Sequence, residues 1–161
     1  MNREHNVTYA LVGLFLRIII AHPFFLSGQT KVEGPTIGGK LFGLDLTMTL
    51  PTSLKDSAVA LFESEYKLPF VLPEHAAYAA AIAENLLPLL LVIGLLTRPS
   101  ALVLLAMTLV IQYWVYPDAW WTAHAYWAAI LLVLVTQGAG AISLDYLFAR
   151  LFSRRKPEES A

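Results

Sequence analysis

Between Arg98 and Asp118 the chain carries no charged residue, and between Asp118 and Asp145 it again carries none. A soluble surface interrupts apolar sequence with charge every few residues. Each of these runs is instead close to the roughly 20 residues that take a helix across a ~30 Å hydrocarbon core. The remainder of the 161 residues agrees: 57% are hydrophobic and 14% charged, below the quarter or so usual in soluble domains, and the mean hydropathy is +0.60. Four spans fit, at about residues 7–28, 73–96, 99–117 and 121–142, each of crossing length. Helices are required because a backbone in lipid must satisfy its own hydrogen bonds. The expected fold is an all-α membrane protein: a four-transmembrane-helix bundle, one domain over residues 1–161, with a short amphipathic helix in its first outer loop, 29–72, and a tail at 146–161. The first apolar segment follows Arg3 as a secretory signal would. Its hydrophobic part is too long for one and no A-x-A-like site follows, so it reads as uncleaved.

Charge sets the expected orientation. Arg150, Arg154, Arg155 and Lys156 in the tail, and Arg98 in the tight connection between the second and third spans, place both segments in the cytoplasm. Four spans then bring the N-terminus to the same side. The loop from Gln29 to Leu72 mixes Lys31, Lys40, Lys55 and Lys67 with Glu33, Asp45, Asp56, Glu63 and Glu65, with no positive excess, as an exported loop requires. Gly34-Pro35 and Gly38-Gly39 break it. Ser53 and Asp56 stand at capping-box spacing ahead of Leu54, Ala58, Leu61, Phe62 and Tyr66, which predicts a surface helix acting as a brace or a lid. Tyr113, Trp114, Tyr116, Trp120, Trp121, Tyr126 and Trp127 gather around the other outer turn, as an interfacial belt does.

The absence of cysteine excludes disulfide exchange and thiolate ligation of a metal or cluster by this chain. A formal charge of -1 and no basic stripe exclude nucleic acid as a partner class. The expected partners are the bilayer and either a protein subunit or a second copy.

Charged and polar residues inside the spans are the candidates for function, since an ionised side chain near the bilayer centre costs about 2.5–3.5 kcal/mol or more and needs a partner, a proton or a task. Arg17 lies about ten residues into the first span and Glu84 about eleven into the second, so antiparallel helices would bring both near the midplane as an ion pair. Gly13, Ala21 and Gly28 on one side, with Ala77, Ala80 and Ala81 on the other, permit close approach. His22, Gln112, His124 and, at the mouth, Gln29 and Lys31 fall on the outer side of Arg17, with Glu84 and Asn85 beneath. Together they predict a ligand pocket open to the outer face, while Gln137 reads as interhelical glue. The histidines and carboxylate come from three helices without ligand spacing, so no metal site is expected, and no residue is singled out as catalytic. Apolar walls with a few hydrogen-bonding groups suit a quinone.

The order of the motifs adds a resemblance. Arg17 followed by Phe24-Phe25-Leu26-Ser27-Gly28-Gln29-Thr30-Lys31, then Glu84 leading to Gly94 and Leu95-Leu96-Thr97-Arg98, then Gly138-Ala139-Gly140-Ala141-Ile142-Ser143-Leu144-Asp145, resembles the DoxX family over nearly the whole chain. Residues 61–68, Leu-Phe-Glu-Ser-Glu-Tyr-Lys-Leu, resemble the subgroup found beside iron-dependent enzymes that modify small peptides. The resemblance implies a four-helix protein of the bacterial inner membrane and a subunit of an oxidoreductase system. The alternative it leaves open is a non-enzymatic anchor, accessory or transport-like bundle for a metal-stress or peptide-maturation partner. From the residues alone, Ser143 and Asp145 suit the cap of a short amphipathic tail helix over 144–152.

Overall fold

The computed structural model describes residues 3–41, 44–45 and 47–153; Arg154, Arg155 and Lys156 of the expected basic tail lie outside the described residues. Helix α1 runs Arg3–Lys31, α3 Pro73–Ile93, α4 Thr97–Val110 and α5 Ala125–Gln137, with the short helix α2, Asp56–Leu61, in the first long connection and α6, Leu144–Ser153, after the bundle. With the π-helical and 3-10 turns that extend α4 and precede α5, four segments are long and apolar enough to cross a membrane: Val7–Lys31, Pro73–Ile93, Thr97–Val115 and Pro117–Gln137. The protein is an all-α membrane bundle.

The helices form a ring in which α1 packs on α3 and α5, and α4 packs on the same two. Ile20, Phe24, Leu91, Ala101, Leu104, Leu131 and Leu134, contributed by all four, make the central core. Lipid-facing positions stay apolar, as Phe15, Ile18, Ile82 and Leu102 illustrate. We call the end carrying the long 32–72 connection the loop face and the end carrying α6 the tail face.

On the loop face the chain forms a structure that the sequence pattern does not predict. Six two-residue strands pair as one antiparallel ribbon: β1 (Val32–Glu33) with β6 (Ser53–Leu54), β2 (Thr36–Ile37) with β5 (Met48–Thr49), and β3 (Lys40–Leu41) with β4 (Leu44–Asp45). Residues 34–35 on the outgoing side face 50–52 on the return, so the returning strand holds one extra residue, a bulge around Pro51, which has no N–H to give a ladder. Ser53 is therefore a strand residue. It does not cap α2, which begins at Asp56 after Lys55 without a side-chain cap. The amphipathic helix is nonetheless present. It continues through a π turn, Phe62–Tyr66, and presses buried Phe62 onto the small-residue face of α3 at Ala76, Ala77 and Ala80. Tyr113, Trp121 and Tyr126 are exposed at this end as a belt requires, whereas Trp127 turns inward against Phe24.

The tail face is tied by one turn. Helix α3 ends at Gly94, left-handed at φ 70°, with Leu95 N donating to Leu90 O and Gly94 N to Leu91 O, the paired bonds of a Schellman cap. Leu96 follows in an uncommon left-handed conformation, and the Asp145 carboxylate holds it there by accepting the N–H groups of Leu96 and Thr97 at 2.8 and 2.9 Å. Asp145 thus caps α4, and Ser143 alone caps α6, its Oγ accepting Tyr146 N at 3.1 Å. Gln137 is exposed, not an interhelical contact.

Candidate functional site

Arg17 and Glu84 do not form the expected pair. Gly28 of α1 packs on the backbone of Glu84, whereas Arg17 lies against Gly94, so residues facing one another across α1 and α3 sum to about 111. Arg17 is then some ten residues, roughly 15 Å of helix rise, from the position opposite Glu84. The helix boundaries do not cause the offset: α1 running on to Lys31 and α3 stopping at Ile93 move both midpoints slightly toward the loop face. The two helices are instead slid along one another, so that α3 begins about seven residues beyond the level of Lys31. A close approach sets the register, because a Cβ on Gly28 would lie 2.8 Å from both Asn85 Nδ2 and the Glu84 carbonyl carbon.

Fully buried Arg17 uses its guanidinium on backbone. Nε donates to Gly13 O at 3.3 Å, Nη1 to Leu91 O and Val92 O at 3.2 and 3.1 Å, and Nη2 to Ile142 O at 2.5 Å. The last turn of α3 carries carbonyls without helical partners and the negative end of the helix dipole, which is where a buried cation is best placed. Arg17 is a tertiary cap for α3 and not part of a ligand pocket.

Glu84 pairs with Lys31. Nζ stands 2.5 Å from Oε2, and the ammonium completes its three donors on Ser27 Oγ at 2.8 Å and Ser27 O at 3.2 Å, one turn back on α1. The side chains are 4% and 5% exposed, and among the described residues this is the salt bridge of the molecule. The amphipathic π turn above it explains the seal. Tyr66, whose hydroxyl titrates above its ordinary value chiefly because of burial and then because of the Glu84 charge, stands on the loop side of the pair. Tyr116 packs edge-on to Tyr66 and donates to the Glu65 carboxylate, which pushes the Tyr116 hydroxyl up to about 12. Glu84 and Lys31 are both buried, and neither lines the groove described below.

The other predicted residues separate. His22 is exposed on α1 among lipid-facing side chains, away from Glu84. His124 and Gln112 do meet, Nδ1 to Oε1 at 2.7 Å, but in the two π turns that bring α4 and α5 together, where Gln112 also donates to Pro117 O at 2.5 Å and His124 leans on Trp127. Their bonds stabilise that connection. Asn85 turns the other way along α3, toward a groove.

This groove, of about 490 Å³, lies between α1, α3 and the ribbon. Phe25 of α1, Ile82 and Leu86 of α3, and Met48, Leu50 and Leu54 of the ribbon make its walls, and Gln29, Tyr78 and Asn85 are the helix residues in it that carry polar groups. Gln29 binds the ribbon as a strand would, accepting Thr49 N at 2.5 Å and donating to Thr49 O at 3.2 Å, and its Nε2 also donates to Asn85 Oδ1 at 2.6 Å. Asn85 Nδ2 donates to Ala81 O at 2.8 Å. An amide nitrogen has two hydrogens, so one N–H of Asn85 has none of these acceptors. Sequence reasoning missed the ribbon wall and named Ser27 only as part of the family motif; its contact with Lys31 was readable from its place four residues earlier on one helix face.

The profile of the DoxX family matches residues 12–117. An uncharacterised protein of Haemophilus influenzae is 29% identical over 148 residues, covering 86% of this chain and 84% of that protein. No solved structure matches the chain. The matched segment holds the α1–α3 crossing, the Lys31–Glu84 pair and the Schellman turn, and the chain belongs to the DoxX family.

Proposed function

We propose that this multi-pass membrane protein lies in the bacterial inner membrane, loop face outward and both termini cytoplasmic, and serves an oxidoreductase system by holding a quinone in the lateral groove. The observation carrying this reading is the groove itself: its volume of about 490 Å³ lies in the range of small-molecule sites, and its walls are almost wholly apolar around one amide pair. A bound quinone supplies two-electron, two-proton chemistry, its electrons coming from a partner subunit. Within this chain, Phe25, Ile82 and Leu86 would hold the apolar part, and Asn85 would offer an amide N–H to a ring carbonyl. Glu84, next in sequence to Asn85 and paired with Lys31, is the nearest buried acid for proton exchange. Arg17, His22, Gln112 and His124 lie outside the proposed site, and Gln29, Lys31, Glu84 and Asn85 make it up.

A photoreactive azidoquinone added to the purified protein should label groove residues on α1 and α3, and Asn85→Leu should weaken quinone binding about five- to tenfold, as loss of one hydrogen bond does. Labelling confined to other surfaces, with unchanged affinity in Asn85→Leu, would reject the reading. The alternative, a non-enzymatic anchor or accessory bundle for a metal-stress or peptide-maturation partner, is favoured by one observation: the buried charges of the spans, Arg17, Lys31 and Glu84, are already satisfied internally. In that case a partner complex should survive the double change Lys31→Met with Glu84→Leu.

A further inference from the structure

The tail face carries a second cleft that the groove reading does not use. It measures about 540 Å³ and lies between the start of α4, the 137–141 turn and the first turn of α6, with Thr97, Arg98, Ser143, Asp145 and Tyr146 in its walls. Three features on this face are unexplained by packing. Arg98 is exposed, and the hydrogen bond its guanidinium makes, Nη2 to Thr136 O at 3.2 Å, leaves a fork of N–H groups over. Thr97 is fully buried at the cleft wall, and among the described residues its Oγ1 is the buried side-chain atom without a hydrogen-bond partner. Helix α6 exposes Leu147, Phe148, Leu151 and Phe152, which nothing in the described chain covers.

The last feature fixes the surroundings. A helix bound to the ends of the spans at Ser143 and Asp145, with an uncovered apolar face, lies in the membrane interface, and the cleft beside it is then at headgroup depth. Charge fixes the ligand class. Both Asp145 oxygens are occupied by the Leu96 and Thr97 N–H groups, so the acid neutralises the start of α4, while Arg98 is the cation left facing the cleft. A planar guanidinium matches two oxygens of a phosphate in a way that no carbonyl or amide does.

The geometry points to a phospholipid site on the tail face: the phosphate diester of a headgroup is held by Arg98, with Thr97 and Tyr146 in the walls of the same cleft, and its acyl chains lie along the apolar face of α6.

Native mass spectrometry of the whole protein, released from detergent containing phosphatidylglycerol and phosphatidylethanolamine, tests this. Wild type should retain bound phospholipid. Arg98→Gln should lower the retained fraction about tenfold, Arg98→Lys less, and Arg150→Gln, outside the cleft, should leave it unchanged. Equal retention by Arg98→Gln would overturn the proposal, and so would displacement of the lipid by inorganic phosphate at matching concentration, which would mark a free-phosphate site. A measurement on the unaltered protein guards against misfolding of the variants. In vesicles of the same two lipids, a phospholipid with a diazirine in its headgroup should crosslink within residues 96–99 and 137–146, and crosslinks found only elsewhere would also overturn the site.

Discussion

Arg17 joins three elements through one side chain: it closes the end of α3 at Leu91 and Val92 and holds the 138–143 turn at Ile142. Arg17→Met should destabilise the bundle by about 3–5 kcal/mol, because buried carbonyls lose charged donors, and Arg17→Lys should recover less than half, since an ammonium cannot fork toward both segments. Unfolding in a graded denaturing detergent measures both. Gly94→Ala adds left-handed strain of about 1–2 kcal/mol and places a Cβ 2.4 Å from Arg17 Nη1. Combined with Arg17→Met, it should cost less than the sum of the two, because the clash with the guanidinium is gone while that with Ser143 Cβ at 2.5 Å stays. Tyr116 predicts a pH dependence. Its hydroxyl is held up to about 12 against an ordinary 10.0, chiefly by donating to Glu65, so the protonated form is the one that stabilises the fold. That contribution is complete below pH 10 and is lost as the pH rises through 12. In an absorbance titration of the tyrosines, Tyr116→Phe should delete the step at highest pH, and alkaline destabilisation between those values should shrink with it.

Between elements, the α1–α3 contact decides most. Gly28 lets the two backbones touch at Glu84, and that touch puts Lys31 within reach of the carboxylate. Lys31→Met or Glu84→Leu alone should cost about 3–5 kcal/mol by leaving a buried charge unpaired, while the double change should come close to wild-type stability. A double-mutant cycle by thermal unfolding resolves it, and additive losses would contradict a coupled pair. Phe62→Ala separates the cover from the bundle at Ala76, Ala77 and Ala80 and should cost about 3–5 kcal/mol if the cover is part of the fold. Protection of the Glu84 region from hydrogen exchange should fall with it. The sequence placed this amphipathic helix but not its start or the ribbon ahead of it. Two-residue strands are too short for an alternating pattern to register, and their pairing at separations such as Val32 with Leu54 is not local information.

Across the whole molecule, orientation is the open prediction of the proposed function. The chain lacks cysteine, so single cysteines at Lys55 and Ser153 report on the two faces without background. A membrane-impermeant maleimide added to intact spheroplasts should label the first and spare the second, and the reverse pattern would invert the assignment. The four spans, their approximate positions, the loop helix and the family were legible in the sequence, because the bilayer imposes length and apolarity on each segment separately. The intramembrane constellation was only partly legible. Glu84, Asn85 and Lys31 do lie together, and Gln112 does meet His124, but His22 faces away and Arg17 serves another end of the bundle. Composition by itself therefore determined a four-helix membrane protein with charges that require partners. Which charges meet was decided by the tertiary structure, because α1 and α3 pack about ten residues, roughly 15 Å, out of the register in which their midpoints would align, and the close contact of Gly28 with Glu84 fixes that register.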